Sequence, residues 1–76
     1  MERIFEAIRQ ERNNQDLKWG EQNHSPLKWL AILIEEVGEV GKAIIENNRY
    51  QCKQELIHCA AVIVAWLECE RRGKQE

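Results

Sequence analysis

Between Leu56 and Leu67 the chain carries one polar side chain, His58, in a run of Ile, Cys, Ala, Val, Trp and Leu. Its Ala content favours a helix over a buried strand across Ala60–Leu67. A helix that is apolar on every side is one that expects cover on every side. A chain of 76 residues buries only ~60% of the surface its unfolded form exposes. Two further helices from so short a chain are too few to cover the run. The run therefore predicts a second subunit, and an antiparallel helical bundle completed across a two-fold axis as a homodimer or homotetramer.

The rest of the chain supplies those two helices and nothing else, so a single all-α domain over residues 1–76 is expected. The first helix runs from about Glu2 to Lys18, with Ile4, Phe5 and Ile8 as its apolar stripe and Gly20 as its stop. A polar loop from Trp19 to His24 follows. Ser25 is the expected N-cap of the second helix, with Pro26 at the first helical position, where a missing N–H costs nothing. Leu27, Leu30, Leu33, Ile34, Val37, Val40, Ile44 and Ile45 recur at helical spacing as one broad face. Asn47-Asn48 ends that helix, since Asn tolerates the left-handed cap conformation. The third helix runs from about Tyr50 to Arg72, with Gly73 as its stop.

Charge and composition remove several function classes. Eleven Lys and Arg against 13 Asp and Glu leave a net charge of −2, without the basic cluster a nucleic-acid binder needs. No apolar run reaches the roughly 18 residues of a membrane span, and no signal peptide opens the chain, so a cytoplasmic location is expected. For the same reason the sequon Asn23-His24-Ser25 carries no weight. Cys52, Cys59 and Cys69 lack metal-knuckle or redox spacing and read as small core or interface hydrophobes.

The chemistry concentrates in Glu35-Glu36-Val37-Gly38-Glu39. At ~100° per residue the three carboxylates project within about a third of the helix circumference, and like charges so placed repel. Solvent or a cation must offset that. This acidic face reads either as the wet side of an amphipathic helix, opposite Leu33, Val37 and Ile44, or as half of a metal site. Glu55 and His58 lie one helical turn apart on the third helix, and the column of Glu55 continues through Cys59, Val62 and Trp66. A carboxylate at the edge of a buried face requires a partner. Acids on two facing helices suit Mg²⁺ or Mn²⁺, with waters and substrate phosphates completing the shell. His58 reads as a core histidine when taken alone and as a ligand beside Glu55. Gly38 and Gly41 serve either a close helix approach or room beside the carboxylates.

The segments WGEQNHSPLKWLAILIEEVGEVGKAI and ELIHCAAVIVAWLE resemble the MazG-like family of all-α nucleoside triphosphate pyrophosphohydrolases. The resemblance spans roughly Trp19 to Glu68. That family carries an ExxE pair on one helix and an ExxD pair on the next. Here the first pair is Glu36 and Glu39, preceded by Glu35; the second begins at Glu55, and His58 stands where the family has Asp. The resemblance implies hydrolysis of a nucleoside triphosphate to the monophosphate and pyrophosphate. It implies Mg²⁺ held by Glu36, Glu39 and Glu55, with His58 as a further ligand that admits Mn²⁺. Glu35 is then an added ligand or the group that orients water, which places Glu35, Glu36, Glu39 and Glu55 in the catalytic set.

Substrate contacts are expected from Lys42 to phosphate, from Trp19 by stacking on a base, and from His24. Each has a plainer role beside it. Lys42 pairs with Glu39 at i,i+3, Trp19 pins its loop to the core, and His24 precedes the helix cap. Trp66 is expected at the subunit interface. The alternative function is a catalytically weak or inactive relative that binds nucleotide or acts as a helical interaction protein, with His58 as the feature in its favour.

Overall fold

The second helix starts where its capping chemistry requires. The Ser25 hydroxyl accepts the Lys28 amide N–H at 3.3 Å, and Pro26 follows at N1. The structure is a computed structural model and describes residues 1–74. It contains α1 (Glu2–Trp19), α2 (Pro26–Ile45) and α3 (Arg49–Arg72), with no strand among the described residues. None of these helices is long and apolar enough to cross a membrane. Boundaries differ from expectation by a residue or so. Trp19 closes α1 rather than opening the loop, and Gly20, at φ 72°, ends the helix by donating to the Asp16 carbonyl. Asn47 takes the left-handed conformation (φ 56°), and the Asn48 side chain caps α3 by accepting the Gln51 N–H at 2.9 Å. The turn between α2 and α3 is thus built by two asparagines with separate jobs.

α3 is the central element. α2 and α1 each pack against it and do not pack on one another. The three-residue link makes α2 and α3 an antiparallel hairpin. Its open end is clamped by Arg72, which donates to the Asn23 side-chain oxygen from Nε and Nη2 (3.0 and 2.9 Å) and to the Gln22 carbonyl (2.9 Å). Trp29 on α2 is 1% exposed and seats among Val62, Ala65 and Cys69 of α3, with Ile32, Leu33 and Trp66 around it. α1 buries no side chain fully. Arg12 anchors it, donating from Nε and Nη2 to Glu68 Oε1 at 2.9 and 2.6 Å.

Several sequence expectations are corrected here. The apolar face of α2 is two faces. Trp29, Ile32, Leu33, Val40 and Ala43 turn toward α3, whereas Leu27, Leu30, Ile34, Val37, Ile44 and Ile45 are exposed. Glu36 falls within the inward set and is half-buried, so it does not lie on a wet side opposite Leu33. The apolar run of α3 is covered by α1 and α2 along most of its circumference; Leu56, Ile63 and Leu67 form the exposed remainder. Trp66 belongs to the core of this chain, stacked on Trp29 with centroids 6.5 Å apart. A Cβ added at Gly38 or Gly41 would meet nothing within 4 Å, so neither glycine serves a close approach within the chain.

Because α1 and α2 stand apart, the molecule is looser than its length suggests. Its radius of gyration is 12.9 Å, against ~11.4 Å for a close-packed chain of this length.

Candidate metal centre

The gap between α1 and α2 is a cleft, and α3 is its floor. Glu55 and His58 rise from that floor one turn apart, and Glu36 enters from the inward face of α2. Glu55 is 5% exposed, and a buried carboxylate needs compensation. It obtains this from His58, whose Nδ1 lies 2.8 Å from Glu55 Oε1, and from Gln51, whose Nε2 donates to the same oxygen at 3.3 Å. The same Nδ1 is 3.7 Å from Glu36, while Nε2 of the ring is 3.8 Å from Glu11 of α1. His58 is therefore neither a buried core histidine nor a solvated one. It stands among three carboxylates drawn from three helices.

One donor atom from each of Glu36, Glu55 and His58 lies within 4.8 Å of the others. Two ligands across an ion at about 2.1 Å are ~4.2 Å apart, so small side-chain adjustments bring this set to a divalent cation. Two carboxylates and an imidazole form a mixed hard and borderline donor set of a kind that could hold a divalent metal ion. Burial, then the charge of Glu55, pushes the Glu36 carboxyl above its ordinary value; His58 counters this, and Glu39 and Glu35 add to it. The Cys59 thiol is likewise held above its usual range, by burial first and then by Glu36 and Glu55.

The other expected residues are distributed unevenly. Glu35 and Glu39 are exposed on α2, outside the converging set, and act on it through their charge. Trp19 lines the cleft. It borders a recess of about 340 Å³ with Glu11, Gln15, Lys18, Glu36 and His58. It also borders an adjoining one of about 270 Å³ whose apolar wall is Trp29, Ile32, Val62 and Ala65. Lys18 Nζ sits 4.8 Å above the Trp19 ring. His24 is turned to the core, edge-on to Trp29 at 4.9 Å. Lys42 is exposed and pairs with no described acid. A further recess of about 260 Å³, with Arg12 and Arg72 on its wall, is a network of satisfied charges, each arginine already bonded to acids or carbonyls.

Glu11 and Gln51 are the members of this site that the sequence reading misses. For Glu11 a signal exists. The α1 stripe through Ile4 and Ile8 continues at Glu11 and Gln15 by helical spacing, so an acid sits on the face that turns toward α3. For Gln51, four residues before Glu55, nothing distinguishes it from other helix-surface glutamines. Comparison with protein-family models, with curated proteins and with solved structures returned no match.

Proposed function

We propose that this chain is a metal-dependent nucleotide pyrophosphohydrolase of the MazG-like kind. It would cleave a nucleoside triphosphate to the monophosphate and pyrophosphate as a homo-oligomer. The observation that carries the reading is the convergence of Glu36, Glu55 and His58 from two helices at the floor of an open cleft. A divalent cation held there supplies neutralisation of phosphate charge and a lowered pKa for water. Glu36, Glu55 and His58 would hold it. Glu39 and Glu35, one turn or less away, extend the negative surface toward the phosphates' own cations or orient the attacking water. Trp19 and the apolar wall behind it offer a base a stacking surface.

Oligomerisation is part of the same reading. The exposed stripes Leu30, Ile34, Val37 and Ile44 on α2 and Leu56, Ile63 and Leu67 on α3 lie on one side of the antiparallel hairpin by helical geometry, away from α1. Gly41, with open space at its Cβ, sits within the α2 stripe. The chain exposes 5861 Å², whereas a folded monomer of its mass exposes ~4,900 Å².

The test is pyrophosphate release from a panel of nucleoside triphosphates with Mg²⁺ and with Mn²⁺. Activity is expected in the native chain and lost in Glu36→Gln and Glu55→Gln. Unchanged activity in those variants would remove the site assignment. One observation favours a second reading, a nucleotide-binding or helical interaction protein without turnover. The imidazole of His58 occupies Glu55 at 2.8 Å, where a further carboxylate would leave Glu55 free for the cation. His58→Asp separates the two: activity appearing only in that variant identifies the native chain as a binder.

A further inference from the structure

His58 has two ring nitrogens, and the fold sends them to different partners. Nδ1 faces the cleft floor, 2.8 Å from Glu55 and 3.7 Å from Glu36. Nε2 faces α1, where Glu11 is the described acid within 4.0 Å of it, at 3.8 Å. Resting on the metal reading above, we propose that Glu11 is the positioning residue of the site. It would hold the Nε2–H of His58 so that Nδ1 ligates, and so tilt the site toward Mn²⁺ and later first-row ions over Mg²⁺.

A ligating imidazole gives the metal one ring nitrogen and keeps its proton on the other. With Nδ1 beside Glu55 and Glu36, a cation held there would take the Nδ1 lone pair and leave the N–H on Nε2, where a half-buried ring requires an acceptor. Glu11 closes the remaining distance by a side-chain movement of about an ångström toward hydrogen-bond range. A carboxylate behind a ligating imidazole fixes its tautomer and raises its basicity, and loss of such a partner costs 10–100-fold in metal affinity. Mg²⁺ gains little from the imidazole, because it prefers oxygen and retains its waters. The effect of Glu11 is therefore an effect on selectivity. It also gives α1, which buries no side chain fully, a specific duty at a site otherwise built by α2 and α3.

The test uses the full chain with Mn²⁺ alone as the probe, in competition with Mg²⁺, on the native protein, Glu11→Ala and Glu11→Gln. Histidine labelled with ¹⁵N at Nδ1 only is read by electron spin-echo spectroscopy of the bound Mn²⁺. Expected results are a ¹⁵N coupling from His58 and a fall in the Mn²⁺/Mg²⁺ affinity ratio of about tenfold or more in Glu11→Ala. Partial recovery is expected in Glu11→Gln, which keeps an acceptor. A coupling to unlabelled Nε2, or equal loss of both metals in Glu11→Ala, overturns the proposal and leaves the metal site standing. Mn²⁺ binding to the native chain no tighter than to Glu36→Gln overturns the metal reading itself, and this inference with it.

Discussion

At the residue scale, Glu36 carries the tension of the site. It is an acid on the inward face of α2, raised above its ordinary value by burial and by Glu55. A carboxyl raised on folding stabilises the fold below its unfolded value, and that contribution is lost as pH rises through the folded value. Without metal, Glu36→Gln should therefore raise the melting temperature at pH 7 and leave it nearly unchanged below pH ~4, where the unfolded carboxyl is protonated too. With Mn²⁺ bound as proposed, the order should reverse, because the native chain would gain binding energy that the variant lacks. Thermal melts at both pH values, with and without the ion, check both signs. Trp29 is the opposite case. It is buried among Val62, Ala65 and Cys69, and its indole N–H has no partner among the described residues. Trp29→Ala should cost about 3–5 kcal/mol, which is as much as a core this small supplies. Loss of the cooperative transition in circular dichroism is the expected outcome.

At the scale of elements, the three helices differ in what holds them. α3 is contacted on two sides, α2 on one broad side, and α1 buries no side chain fully. Amide exchange should accordingly be fastest in α1 and slowest around Ala61–Cys69 of α3. Protection as high in α1 as in α3 would show cover that this single chain does not provide. The capping devices are separable from this packing. Ser25→Ala removes the acceptor for the Lys28 N–H and should cost about 1 kcal/mol, measurable by urea denaturation. The sequence announced the Ser25 cap, because capping is chemistry between residues three apart; it placed Asn48 at the end of α2 and not at the start of α3. It did not announce the division of α2 into two apolar faces. Leu33 and Ile34 are alike in hydropathy, and only the position of α3 decides that Leu33 turns inward and Ile34 outward.

For the whole molecule, the decisive feature is the surface left by two helices that flank a third without meeting. One side is the acidic cleft. The opposite side carries Ile34, Val37, Ile44, Leu56, Ile63 and Leu67 exposed. In the proposed homo-oligomer this patch would be the association surface. Sedimentation equilibrium should give a multiple of the 9.0 kDa chain mass, and Ile34→Glu or Ile63→Glu should shift it to monomer. In so marginal a chain the monomer should also melt at lower temperature. A monomeric native chain would leave the apolar stripe for a different partner and remove the homo-oligomer from the proposal.

What the sequence determined by itself was whatever depends on near neighbours in the chain. That includes three helices, the Ser25 cap, the stops at Gly20 and Gly73, the pairing of Glu55 with His58 one turn apart, and the acids gathered at Glu35, Glu36 and Glu39. It also foretold that this length leaves apolar surface uncovered. Tertiary structure decided which of those acids converge. Glu36 joins Glu55 and His58 because the α2–α3 hairpin turns that column inward, while Glu35 and Glu39, on the same helix, stay outside. It also brought Glu11 to the far nitrogen of His58, a contact across 47 positions of sequence that no local spacing encodes. The reason is physical. Helical periodicity fixes the angle of a side chain around its own axis, but the azimuth at which two axes meet is set by how Trp29 seats among Val62, Ala65 and Cys69.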